Sequence, residues 1–452
     1  MPRFDQAVDI VVKLVGEALG GRSAELVIVR DVTGSVTAVL PDDSLPDAQW
    51  SPVARELHEA LGRYSPGLEQ VLLRRIDLID PADVLSSQDR VRLPDHPNAW
   101  MVDRLLTNQD WLRQPVVATP PIPTAAAFSI KGGVGRSTAF AVWAWYLARQ
   151  GKRVLVVDLD LEAPGIGSIL LGADDLPDYG LADWFVEALA GQANGELLEE
   201  IWAPSPLSAD APGSIDVIPA FGTKTRNYVA KLGRVYTPTM TDRGATQGFA
   251  HRLAALIDQA ASRKEPPDVV LLDARAGLHD IGAATVTQLG AEVFLFARNE
   301  AQSWAAYERL FEHLRMARTV RWGMPDDDLR WRLKMVAAQL DPTEGALDRW
   351  VGNAYSCWLG FYDAETKDGE EEDGQSQEPS ERAQTFERAD EAAPHYPMPI
   401  LFDSRLRGLN LVAPDERPDW SFIEATFGRF LKDATARLLE TTGSEPQNEG
   451  GQ

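Results

Sequence analysis

The stretch Phe128–Thr138, FSIKGGVGRST, decides the reading of this 452-residue chain. Residues 128–130 end an apolar, strand-like run, and residues 137–151 (STAFAVWAWYLARQG) have the spacing of a helix that Gly151 stops. Between them Gly132, Gly133 and Gly135 free the backbone to curl around Val134, so that several N–H groups point inward. Those amides, with the positive end of the following helix, form an anion site of the kind that takes phosphate. Ser137 is placed to bring its hydroxyl to a divalent cation, and Thr138 to touch the phosphate next to it. On the helix, Ala139, Val142, Trp143, Tyr146 and Leu147 predict one inward stripe.

The pattern GxxxxGK[ST] is not met, because Ile130 replaces its first glycine and Arg136 its lysine. Arginine keeps the positive charge, but its guanidinium is longer, planar and forked. It grips phosphate oxygens well and is less suited to the charge that develops during phosphoryl transfer.

Outward from the loop, the apolar runs 126–130, 153–161, 215–220, 268–274, 292–298 and 332–340 alternate with helical patterns. Several are apolar on both faces, which predicts an α/β fold: a mostly parallel sheet covered by helices on both sides. Asp158 and Asp160 close the second run (RVLVVDLDL), and Asp273 closes DVVLLDA, at the sheet edge where open α/β folds bind ligands. An acid after such a run suits a cation-bound water. Asp158 and Asp160 also admit a plainer reading, as caps of the loop that follows.

The loop KGGVGRST, with DLD and the acid of DVVLLDA, resembles the deviant Walker A of the ParA/MinD-like (SIMIBI-class) P-loop ATPases. More narrowly, it is similar to their KGGVGR-motif variant branch, over about residues 124–435. The resemblance implies ATP and Mg²⁺ as cofactors, with Gly132, Gly133, Val134, Gly135, Arg136, Ser137 and Thr138 around the phosphates and Ser137, Asp158 and Asp273 at the metal. It implies catalytic roles for Asp160 at the attacking water, for Arg136, and for Lys131, which would reach the partner's phosphates in a nucleotide-dependent homodimer. Asn299 would meet the base, and Ala338 stands where relatives often carry an asparagine. Gly277 would offer an amide to the terminal phosphate. Arg275 has two readings, an internal arginine finger and a surface ion pair, and His279 reads as a solvated loop residue. The activity implied is a slow ATPase switch, with two alternatives: a non-hydrolysing nucleotide-binding module and a partition-type ATPase that coats DNA. Relatives with KGGVGR loops suggest a setting in bacterial conflict or anti-phage systems.

Residues 1–114 read as a separate small α+β domain without catalytic motifs, an interaction module for a protein partner. Its expected helices include 4–19, 53–63 and 99–112. Pro115, Pro120, Pro121 and Pro123 make 115–124 a stiff linker ahead of the ATPase domain, 125–440. From Asp363 to Glu391 there are 12 acidic residues against Lys367, Arg382 and Arg388, so −9 of the formal charge of −24 lies in one segment. With little apolar content, 363–393 reads as a disordered insertion, and 441–452 as a flexible tail.

The overall charge excludes a surface that wraps nucleic acid throughout. Arg315, Arg318, Arg321, Arg330 and Arg332 are interrupted by acids and read as a solvated helical face, so nucleic acid is not an expected partner. Cys357 is the single cysteine and the six histidines are scattered, which excludes an internal disulfide and a multi-cysteine zinc site. No long apolar run is present, so a cytoplasmic protein without a membrane span is expected.

Overall fold

The computed structural model describes residues 2–87, 89–93, 96–116, 118–240, 246–317, 329–362 and 386–440. Two compact units divide at residue 114.

The first unit opens with helix α1 (Phe4–Leu19), which buries Ala7, Val11, Val15 and Leu19 at helical spacing. Gly20, in the left-handed region at φ 57°, ends it and donates its N–H to the Glu17 carbonyl. Strands β1 (Leu26–Arg30) and β2 (Val36–Leu40), helix α2 (Asp47–Leu61), β3 (Leu72–Arg74), the short helix α3 (Pro81–Leu85), β4 (Arg90–Leu93) and β5 (His96–Asp103) follow. The sheet order is β3-β2-β1-β5-β4. Of the helix expected over 99–112, residues 99–103 instead belong to β5, and only Gln109–Trp111 form a short 3-10 turn. Strand β5 pairs parallel to β1 in the middle of the sheet, with Ala99 opposite Leu26 and Val102 opposite Val29. Pairing to β1, with Ala99 in one core and Trp100 and Val102 in another, outweighs the helical spacing of the same apolar residues.

In the second unit, β6 (Thr124–Phe128) leads through the glycine loop into helix α4 (Arg136–Arg149). The strands that follow are β7 (Arg153–Asp158), β8 (Ala203–Pro204), β9 (Ser214–Ile218), the short pair β10 (Thr239–Met240) and β11 (Thr246–Gln247), β12 (Val269–Asp273), β13 (Glu292–Ala297), β14 (Leu333–Leu340) and β15 (Met398–Leu401). The main sheet runs β15-β14-β13-β6-β12-β7-β9-β8, and every pairing is parallel except β8 with β9. Side chains alternate between two cores: Val154, Val156, Val269 and Leu271 face one, and Leu155, Val157, Val270 and Leu272 the other. That alternation explains strands that are apolar throughout.

Helix α4 differs from the single stripe expected. Phe140, Ala141, Ala144, Trp145 and Ala148 are buried along with Ala139, Val142, Trp143 and Leu147. The reason is the helix Trp420–Glu440, which packs beside α4 and against the sheet, with Phe430 against Phe294 and Phe296. Trp143 donates its indole N–H to Thr435 Oγ1 at 2.9 Å and packs edge-on against Phe430. Ile423, Phe427, Phe430, Leu431, Ala434 and Leu438 are all buried there.

Three further expectations change. The proline segment is bound to the second unit: the Val116 N–H donates to the Thr287 carbonyl, Ile122 is buried and Thr124 already begins β6. The last eight residues of the acidic insertion, 386–393, are held rather than loose. Lys334 donates to the carbonyls of Glu391 and Ala393, and Ala393 is buried. Residues 363–385 and the tail 441–452 lie outside the described residues. Arg330 and Arg332 are buried, donating to the carbonyls of Phe361 and Val116, so they form no solvated face; Arg318 and Arg321 lie outside the described residues.

Candidate nucleotide site

The parallel sheet brings three carboxyl ends together. β6 lies between β13 and β12, and β12 lies beside β7, with Ala127 opposite Asp273 and Asp273 opposite Asp158. The glycine loop and the acids therefore meet at one edge, with Asp160 two residues past Asp158.

In the loop Gly133 and Gly135 have φ of 72° and 91°, which only glycine adopts without strain. A Cβ at Gly132 or Gly133 would meet no protein atom within 4 Å, so the loop's open side faces free space. Val134 is buried and pins the loop from below. Residues 133–138 line a cavity of about 440 Å³, closed on its far side by residues 400–403, Leu406, Arg407 and Phe427. A second cavity of about 340 Å³ shares Arg298, Gln339 and Phe402 with it.

The polar side chains fall into two groups. Asp158 is fully buried and accepts the N–H groups of Asp160 and Gly167, each at 3.2 Å. Burial first, then the neighbouring Asp273 charge, holds its carboxyl well above the usual range. Asp160 accepts the Ala163 N–H at 3.1 Å, and burial raises its pKa. Both acids thus bond to the backbone of the loop that follows β7.

Asp273 is also fully buried, yet neither carboxylate oxygen has a hydrogen-bond partner. Burial pushes its pKa up to about 6; Arg136 and Ser137 favour the ionised form, the latter without a well-aligned bond. Arg136 is buried as well. Its Nη2 lies 3.9 Å from Asp160 Oδ2, and its buried Nη1 has no partner. A buried polar atom left unpaired is costly unless something else completes it.

Other expected residues stand differently. Lys131 Nζ pairs with Glu300 Oε2 at 3.0 Å, and Glu300 also meets Arg298 at 3.2 Å. Arg275 takes the ion-pair reading, binding Glu162 at 2.9 Å. The Gly277 N–H is spent on the Ser129 carbonyl at 2.8 Å and so is turned away from a phosphate. His279 is tied to the Ala276 carbonyl. Asn299 lines the smaller cavity, where its Oδ1 accepts from Trp304 and Asn353.

Sequence reading passed over Gln339, which follows buried Ala338. It sits at φ 52°, unusual for a non-glycine residue, and its side-chain amide donates to the Gly133 carbonyl at 3.0 Å. A strained residue bonded to the loop marks the cavity wall, and only backbone geometry reveals it. Phe402, 45% exposed beside both cavities, was equally silent in the sequence.

Ser137 and the unpaired carboxylate of Asp273 fit a magnesium ion, which prefers a few oxygen ligands completed by water and phosphate. Among the described residues no cluster of three or more His, Cys, Asp or Glu forms a self-sufficient metal site. No helix among them is long and apolar enough to cross a membrane.

Residues 125–303 match the model of the CobQ/CobB/MinD/ParA nucleotide binding domain. A comparison with curated proteins gives no match. Among solved structures the chain is similar to pNOB8 ParA bound to nonspecific DNA, at 14% identity and a TM-score of 0.40, over 70% of this chain and 99% of that one. It is similar to a ParA family ATPase from Chlorobium tepidum TLS at 18% identity and TM-score 0.36, over 54% and 81%. A protein of Borrelia burgdorferi B31, described as a plasmid partition protein and bound to AMPPNP, aligns at 12% identity and TM-score 0.36, over 72% and 100%. Residues 125–303 of this chain form a nucleotide-binding domain of the CobQ/CobB/MinD/ParA kind.

Proposed function

We propose that this protein binds ATP with Mg²⁺ at the glycine loop and hydrolyses it slowly, as a switch whose nucleotide state controls its association. The observation that carries this reading is the open cradle of residues 133–138 beside the buried, unpaired carboxylate of Asp273. Backbone amides and Arg136 hold the phosphates, and Thr138 supports the α-phosphate. Ser137 and Asp273 hold the cation, which when bound offsets charge on the phosphate oxygens. Asp158 supports that shell through the loop it caps. Asp160 orients the attacking water and accepts its proton, helped by a pKa raised by burial. Asn299 borders the base.

Lys131 reaches a partner's phosphates in a nucleotide-dependent homodimer. To do so it must leave Glu300, and a half-exposed pair of this kind is weak enough to break. Residues 1–114 engage a protein partner, in a setting such as a conflict or anti-phage system. DNA coating finds less support, because two of the five arginines of the basic stretch are buried.

Steady-state phosphate release tests the enzymatic part. The wild-type chain is expected to release phosphate above the enzyme-free blank, and Asp160→Ala to fall by roughly 100-fold or more, within the range of general-base contributions. Release equal to the blank for the wild type would leave a binding module without turnover.

A further inference from the structure

Asp160 is carried on a short turn that its own side chain closes. Oδ1 accepts the Ala163 N–H at 3.1 Å, and Glu162 stands inside that turn. Glu162 Oε1 meets Arg275 Nη1 at 2.9 Å and accepts the Tyr236 hydroxyl at 2.9 Å. One residue earlier, the Leu161 carbonyl accepts the Tyr228 hydroxyl at 2.5 Å.

The groups that hold the turn are themselves fixed. Tyr228 and Tyr236 stand at the two ends of the helix Tyr228–Val235, whose Lys231 pairs with the buried Asp183. Arg275 belongs to the loop after β12, where the Gly277 N–H donates to the Ser129 carbonyl at 2.8 Å. Ser129 Oγ in turn donates to the Lys131 carbonyl at 2.7 Å. A chain of bonds thus runs from the start of the glycine loop, through the loop after β12, to Glu162. Farther on, a Cβ at Gly165 would stand 3.6 Å from Ser137 Oγ, so the segment that carries Asp160 also passes beside the hydroxyl expected at the cation.

We infer that Glu162 is a positioning residue for phosphate-bond cleavage: with Arg275 and Tyr236 it sets the turn that aims Asp160 at the attacking water. The inference rests on the hydrolytic reading above. In that step water attacks the terminal phosphorus, its bond to the bridging oxygen breaks, ADP leaves and Asp160 accepts the water's proton.

A part-exposed ion pair adds little to stability, so Glu162 is a weak structural brace. Its value is directional. The carboxylate accepts from a guanidinium in one loop and from a phenol at a helix end, which fixes the turn between them. A displacement of about 1 Å at a reacting group can cost about 100-fold in rate. Loss of Glu162 therefore falls on turnover, whereas the grip of the glycine loop on the phosphates is left in place.

The test is steady-state phosphate release, with calorimetric titration with ADP and Mg²⁺ alongside, on the full chain. For Glu162→Gln, kcat is expected to fall about tenfold or more, with KM and ADP affinity within about twofold of wild type. Arg275→Ala is expected to show the same pattern and Arg275→Lys to recover most of the loss. The double variant Glu162→Gln with Arg275→Ala is expected to fall no further than either single one, because both remove the same contact. In nucleotide-free protein, trypsin is expected to cut after Arg275 at least about threefold faster in Glu162→Gln than in wild type, in keeping with release from a weak ion pair. An unchanged kcat, a fall matched by an equal loss of ADP affinity, or an unchanged rate of cutting would overturn the inference. Losses that multiply in the double variant would overturn it too, since Arg275 would then act on the phosphate by itself. A wild type that releases no phosphate above the blank would overturn the hydrolytic reading, and the inference with it. If circular dichroism shows Glu162→Gln to be unfolded, Tyr236→Phe serves instead, with kcat about threefold lower at unchanged KM expected and an unchanged kcat counting against the proposal.

Discussion

Asp158 and Asp273 are register neighbours on adjacent strands, both fully buried, and they have opposite surroundings. Asp158 accepts two backbone N–H groups from the loop that follows it, whereas Asp273 accepts none. The first carboxylate therefore holds the fold, and the second is kept incomplete at a cost in stability. Two acids that look alike in a sequence are told apart by counting their hydrogen-bond donors.

Removing each acid sharpens the contrast. Asp158→Ala strands the N–H groups of Asp160 and Gly167, and relief of the burial cost and of repulsion with Asp273 offsets only part of that loss. A destabilisation of about 2–4 kcal/mol is expected in urea unfolding. Asp273→Asn has the opposite sign. Its folded pKa of about 6 lies above the unfolded value of about 3.9, so the folded state binds more protons between those limits. Stability conferred by that proton is present at low pH and lost as pH rises through 6. The asparagine variant, free of this penalty, is expected to exceed wild type by about 1–3 kcal/mol at pH 8, with the gap closing near pH 4. Equal stabilities across that range would erase the distinction between the two acids.

The smallest effect concerns Lys131, whose pairing with Glu300 keeps it within its own chain. Glu300→Gln is expected to lower the protein concentration needed for the ATP-bound dimer by about two- to fivefold, in keeping with a half-exposed ion pair. Sedimentation velocity would show it. A dimer that Lys131→Ala leaves intact would remove the cross-subunit role.

The loop, its helix and the placement of the acids at strand ends were legible because glycine, hydroxyl and carboxylate sit at fixed places in an apolar period. The state of those acids was not, since hydrogen-bond supply depends on loop paths that no spacing encodes. Gly277 shows the same limit: its φ of 107° confirms the need for glycine, but its amide turns to Ser129. The segment 99–112 failed for another reason. Ala99, Met101 and Val102 suit either period, and pairing to β1 decides between them. Gln339 on β14 and Phe402 just after β15 lie far along the chain from the loop, so only the sheet order brings them to the cradle.

The most direct test of the nucleotide cradle uses Gly133. A Cβ there would meet no protein atom within 4 Å, so valine at φ 72° strains the loop and fills the space meant for phosphate while sparing the core. In calorimetric titration with ATP and Mg²⁺, the wild-type chain is expected to bind one equivalent saturably, and Gly133→Val to lose at least about thirtyfold in affinity, roughly 2 kcal/mol. A wild type that shows no saturable binding, or a Gly133→Val chain that binds as tightly as wild type, would contradict the account.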